Sequence, residues 1–206
     1  MTTGTRVPRP NKSFAWLRAL PALLLAAALL PAPAARAEDL LPQLMREMAQ
    51  VKSSRATFVE RKYLSIVNTP LEYTGGLAYT APDKLEKSTQ TPKPESMFLD
   101  GDKLTLVNAK KQSRVVLLSQ YPQVRAFTES IRSVLAGDIA TLNRYYQVSA
   151  EGQMADWKLT LAPSDKQMQA VVQQIRFEGA GHSIRTIEIT EKQGDRSVMT
   201  ITEVGP

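Results

Sequence analysis

Apolar residues recur at spacings of three and four from Leu40 to Val51 (Leu40, Leu41, Leu44, Met45, Met48, Val51), with Gln43, Arg46, Glu47 and Gln50 opposite. That period predicts a helix from Glu38 to about Lys52 with one apolar stripe. Glu38 and Asp39 suit the positive end of its dipole, and Pro42 is tolerated in a first turn. After it the period falls to two, and extended segments are expected at 55–67, 71–80, 84–89, 96–99, 103–107 and 112–118. Asp100-Gly101 marks the tightest turn. Met97 and Leu99 before it, and Leu104 and Leu106 after it, alternate so that the hairpin has one dry face. Gly75-Gly76 falls inside a strand, where glycine commonly marks a bulge or bend that curves a sheet.

At Tyr121 the helical period returns. Pro122 opens a segment in which Val124, Phe127, Ile131, Val134 and Leu135 share a face. Gly137 ends it, and Asp138 is placed to cap a second short helix through about Leu142. Five more strands are expected at 145–150, 157–161, 171–177, 184–190 and 198–204, with turns at Glu151-Gly152, Gly179 to Gly181 and Lys192 to Asp195. No strand–helix–strand alternation occurs, which argues against a parallel sheet. The expected fold is α+β: a single strongly curved antiparallel sheet of about eleven strands, an incomplete β-barrel. The N-terminal helix and the short helical pair would form a lid over it.

The first 37 residues have a different character. Arg6, Arg9, Lys12 and Arg18 precede an apolar run from Ala19 to Leu30, followed by Pro31, Pro33 and Ala35-Arg36-Ala37. This is the pattern of a secretory signal cleaved after Ala37. As a transmembrane anchor the run falls short of the ~20 residues that span a bilayer, and Pro21 interrupts it. The expected organisation is thus a signal peptide, 1–37, and one exported domain, 38–206. Export changes the charge argument. The whole chain is +6, but five of its 26 basic residues lie in the leader and none of its 20 acids does. The remainder is close to neutral, which gives no footing for nucleic-acid binding. There is no Cys, so neither a disulfide nor a lipid-bearing cysteine can form.

Candidate chemistry is sparse. His182 is the only histidine and sits in a Gly-Ala-Gly-His turn, without a nucleophile context for a catalytic triad. One His and no Cys cannot build a zinc site. Gly75-Gly76 lacks the helix and the Lys-Ser/Thr of a phosphate loop. The turn carboxylates Asp100, Asp102, Glu151 and Asp195 are explained by turn chemistry. No enzyme activity, cofactor or metal is therefore expected. What remains is apolar surface on two helices and a curved sheet. It is either an ordinary core or the lining of a cavity for acyl chains.

Several stretches, in order, resemble the LolA-type periplasmic carriers of outer-membrane lipoproteins. Ala56-Thr57-Phe58-Val59-Glu60 is similar to that family's strand opening. Gly76-Leu77-Ala78-Tyr79, Pro82-Asp83-Lys84-Leu85, Pro94 and Phe98-Leu99-Asp100-Gly101 with Leu104 resemble its central signature. Asp156 to Pro163, Ile187 to Glu191 and Gly194 to Ser197 resemble its last strands. The resemblance covers nearly all of 38–206. It implies an open barrel whose concave face holds the acyl chains of a lipoprotein, received from an inner-membrane transporter and passed to an outer-membrane receptor. It also implies a monomer without catalysis. The residues expected to line the cavity are Leu44, Met48, Phe58, Leu77, Tyr79, Phe98, Val124, Phe127, Ile131 and Leu135. The position at which the family carries a lid-latching Arg is Ala81 here. Two alternatives remain: a related carrier of another lipid or hydrophobic biosynthetic product, and a binding or sensing module on the same fold.

Overall fold

The structure, a computed structural model, describes residues 40–205. The leader, its expected cleavage point at Ala37, and Glu38 and Asp39 lie outside the described residues. Helix α1 spans Leu40–Gln50. Six strands follow: β1 Ser53–Tyr63, β2 Leu71–Thr80, β3 Lys84–Thr91, β4 Glu95–Asp100, β5 Lys103–Val107 and β6 Ser113–Leu117. A 3-10 turn, Leu118–Gln120, leads into α2 Pro122–Ala136 and α3 Ile139–Tyr145. The second run comprises β7 Tyr146–Gln153, β8 Asp156–Pro163, β9 Val172–Ala180, β10 Ser183–Glu191 and β11 Arg196–Glu203. One-turn helix α4, Lys166–Gln169, lies between β8 and β9.

The eleven strands form one antiparallel sheet in the order β6-β5-β4-β3-β2-β1-β11-β10-β9-β8-β7. Each run is a meander, and the two are sewn together by β1 and β11, from Ala56 opposite Glu203 to Tyr63 opposite Arg196. The sheet expected from the sequence is present, and it is not closed. Its edges, β6 and β7, are joined in sequence by α2 and α3, so the helical pair is held where the barrel is incomplete.

Local chemistry fixes the bends. The β2–β3 register slips between Thr74 and Gly75. A Cβ at Gly75 would meet the Ser88 carbonyl oxygen at 2.0 Å and the Phe58 ring at 2.9 Å, so only glycine lets the strands approach there. At the end of α2, Gly137 adopts φ 68°, and its N–H bonds the Val134 carbonyl. Asp138 then caps α3 by accepting from the Thr141 N–H at 2.9 Å.

The core occupies one half of the concave side. Leu44 and Met48 of α1, Val134 of α2 and Leu142 of α3 pack with Tyr146, Trp157, Leu159, Leu161, Ile175 and Phe177 of β7–β9. Tyr146 Oη donates to the Ala126 carbonyl of α2 at 3.1 Å, and Trp157 Nε1 donates to the Gly181 carbonyl at 2.9 Å. Burial pushes the Tyr146 phenol up to about 12 despite its hydrogen bond with Ser130. A smaller cluster of Leu99, Leu104 and Leu118 closes the β3–β6 end.

Several boundaries differ from the sequence expectation: the expected turns at Glu151-Gly152 and Gly179 lie inside β7 and β9, which run on before the chain reverses. β1 stops at Tyr63 rather than near Val67, since Ser65 and Ile66 already turn and the Ser65 N–H is taken by Asp195. The α4 turn falls between two expected strands, where no element is expected from the sequence; Asp165 caps it by accepting from the Gln167 and Met168 N–H groups.

Candidate functional site: an apolar cavity beneath a helix

The other half of the concave face is not filled. A cavity of about 1260 Å³ lies there, walled by the inward faces of β1–β4, β10 and β11 and by residues of α1 and α2. This exceeds the roughly 300–1,000 Å³ of small-molecule pockets. Its size follows from the sheet's curvature and from α2 dividing its surface in two. Ala126, Ser130, Ser133 and Val134 are buried, while Val124, Phe127, Ile131 and Leu135 face the cavity. A helix that packs on one side and offers an apolar stripe on another covers a space rather than filling it.

Register decides which strand residues look inward. Opposite Ala56 lies Leu77, and opposite Leu77 lies Lys87; opposite Tyr79 lies Leu85, then Leu99. Met48, Leu77, Tyr79, Val124, Phe127, Ile131 and Leu135, all expected as lining, are brought together in the cavity wall. Leu44 is not in the wall. It is wholly buried in the core, because its position on α1 faces β7–β9 rather than the space. Phe58 faces inward but is 2% exposed and packed beneath Lys87, whose Nζ stands 4.9 Å from its ring centroid. Phe98 corrects the sequence expectation: it pairs with Glu86 and Thr105 on the outer face and is 38% exposed. The alternation that puts Met97 and Leu99 inward forces Phe98 out.

Wall residues not singled out from the sequence include Ile187 and Ile189 of β10, Met199 and Ile201 of β11, and Met97 and Leu85. The signal was available as strict alternation in Ile187–Ile189 and Met199–Ile201. Glu60 and Lys87, also in the wall, were missed because neither looks like a lining residue by type.

Ala81 has no polar side chain, and its N–H bonds the Lys52 carbonyl at 2.9 Å. The guanidinium contact between helix and sheet comes from the helix instead. Arg132 donates through Nε to Glu129 Oε2 at 3.0 Å, through Nη2 to Glu129 Oε1, and through Nη1 to the Gly101 carbonyl at 3.2 Å. Gly101 sits at the β4–β5 turn, so α2 is tied to the sheet by a charge-assisted bond. Glu129, 5% exposed, holds the guanidinium in place. Tyr79 Oη is buried without a partner among the described residues. Burial, then the Asp83 charge, push its pKa up.

Among the described residues no helix is long and apolar enough to cross a membrane. Nor do three or more His, Cys, Asp or Glu side chains gather there as a metal site would need. His182 is exposed in the β9–β10 turn.

Residues 32–203 match the family model described as outer membrane lipoprotein carrier protein LolA-like. The chain belongs to this LolA-like family. No curated protein sequence matches it. Among solved structures it is similar to the LolA superfamily protein NE2245 from Nitrosomonas europaea, with 11% identity, 79% of this chain and 92% of that one covered, and a TM-score of 0.44. It is also similar to a putative outer membrane lipoprotein-sorting protein domain from Vibrio parahaemolyticus, at 12% identity, 81% and 92% coverage and a TM-score of 0.45. A chain of the MucA/MucB complex of Pseudomonas aeruginosa gives 14% identity and a TM-score of 0.44; 82% of this chain is covered, and 58% of that one. Family membership rests on the sequence match over 32–203.

Proposed function

We propose that this LolA-like chain is a periplasmic carrier that shields the acyl chains of a lipoprotein or other lipid in the cavity beneath α2. The observation that carries the reading is that cavity: large, mostly apolar, and bounded by a helix whose half-buried stripe, Val124, Phe127, Ile131 and Leu135, lines the space. Exposed acyl surface is costly in water, about 0.8 kcal/mol per buried CH₂ group, so a pocket of this kind supplies the main driving force for uptake without catalysis. Export rests on the leader, with cleavage after Ala37, and the carrier works as a monomer. Cargo would be received from an inner-membrane transporter and released to an outer-membrane receptor.

The test is native mass spectrometry of the protein purified from a bacterial periplasm, beside displacement of a fluorescent fatty-acyl probe. Bound lipid, and its loss in Ile131→Trp with the fold retained, is the expected result. A protein that binds no acyl probe would overturn the reading.

A further inference from the structure

One end of the cavity is charged. Along the inward face of β1 the order is Ala56, Phe58, Glu60, Lys62. Glu60 is 4% exposed. Lys87 Nζ stands 2.5 Å from Oε2, Ser197 Oγ donates to Oε1 at 2.7 Å, and Lys62 Nζ lies 3.7 Å from Oε1. Lys87 begins on β3 level with Leu77 and reaches Glu60 over Phe58, a path left open because Gly75 has no side chain. Burial alone would raise the Glu60 pKa. The charge and hydrogen bond of Lys87, the Ser197 hydroxyl and the charge of Lys62 outweigh it and hold the carboxyl below its ordinary value, ionised at neutral pH.

Two ammonium groups therefore share one carboxylate, so within this cluster one ammonium is in excess. Lys62 is the less committed of the two. Its Nζ also stands 5.0 Å from the Tyr73 ring centroid, and 42% of its side chain is exposed. Other charged groups border the same end without pairing with either lysine. Arg196 also borders the cavity, with its guanidinium over the Tyr63 ring and 3.6 Å from Glu188. Glu191 and Asp195 border the cavity at the β10–β11 turn, Asp195 accepting from the Ser65 N–H, and neither pairs with Lys62 or Lys87. Six residues of β1, about 20 Å, separate Glu60 from Ser54, which lies opposite Tyr79 in the apolar wall.

We infer that Lys62 and Lys87, braced on Glu60, form a head-group subsite for a lipid bearing a single negative charge, with its chains lying beneath α2. The inference rests on the carrier reading and adds a direction to it: head at the Glu60 end, tail against Phe127 and Ile131. A carboxylate and a phosphodiester share the required chemistry, a monoanion whose oxygens accept from ammonium groups. Glu60 fixes Lys87 and offsets one of the two charges when the site is empty.

The experiment compares probe displacement by matched pairs: oleate with methyl oleate, and dioleoylphosphatidylglycerol with dioleoylglycerol. The charged member of at least one pair is expected to bind about tenfold more tightly. That preference should shrink as salt is raised. Lys62→Met is expected to remove most of it, read as the affinity ratio within each pair. Lys87→Met strands a buried carboxylate, so it is made together with Glu60→Gln, and thermal unfolding verifies the fold. A preference confined to the first pair assigns a fatty carboxylate, and one confined to the second a phosphodiester. Equal affinities within both pairs, or a preference that survives both variants, would overturn the subsite while the carrier reading stands. Displacement by none of the four would overturn the carrier reading, and the subsite with it.

Discussion

Glu60 shows how much one side chain can decide in an otherwise apolar wall. Its ionised form is held by Lys87, Ser197 and Lys62, so its folded-state pKa lies below the unfolded one. The resulting contribution to stability is present above about pH 4 and is lost as pH falls through the folded value. Glu60→Gln should cost about 1–3 kcal/mol near neutral pH, because it leaves Lys87 without a carboxylate partner. The gap between wild type and variant should close on acidification, as measured by denaturant unfolding at a series of pH values. A gap independent of pH would show that Glu60 contributes through packing and not through charge. Phe98 teaches the complementary lesson. Its type suggests a wall residue, but its parity puts it outside, and parity wins because strand side chains alternate without exception along the β4–β5 pairing.

At the level of elements, α2 is the piece with two tasks. Its buried side is fixed by Tyr146 and by the packing of Val134, while its stripe of Phe127, Ile131 and Leu135 touches the core at one edge and lines the cavity at the other. What holds the stripe over the cavity is Arg132 on the Gly101 carbonyl. Arg132→Met should therefore loosen the helix, with α2 amides exchanging roughly tenfold faster in hydrogen-exchange measurements and β7–β9 amides unchanged. Unchanged exchange in α2 would mean that apolar packing alone holds it. The helix end is more rigidly specified. A Cβ at Gly137 would meet the Met45 carbonyl oxygen at 2.1 Å in a left-handed conformation, so Gly137→Ala should lower stability by at least about 1 kcal/mol in thermal unfolding. These elements were legible in the sequence because period and punctuation are local signals: the Pro122 start, the Gly137 stop and the Asp138 cap all lie where the pattern puts them. The one-turn α4 was not legible, since four residues carry no period.

Across the whole molecule, a single curved antiparallel sheet of about eleven strands was legible; its strand order and the half of its face left unfilled were not. Alternation says which residues face inward, but it does not say how far away the opposing surface lies. Leu44 and Met48 carry the same sequence signal four residues apart, yet one is sealed in the core and the other reaches the cavity wall. That difference arises because the helical link between β6 and β7 covers the β7–β9 half closely and spans the β1–β3 half at a distance. Since the chain has no Cys, the arrangement can be tested with single introduced thiols. Ile131→Cys faces the cavity and Phe98→Cys faces solvent on the opposite side of the sheet. With an acyl ligand bound, the labelling rate at position 131 should fall at least about tenfold, as expected for a group whose access is closed by an occupant. The rate at position 98 should not change. Protection at both positions would indicate binding on the outer face or association of whole molecules. Protection at neither, with ligand demonstrably bound, would place the ligand elsewhere than beneath α2.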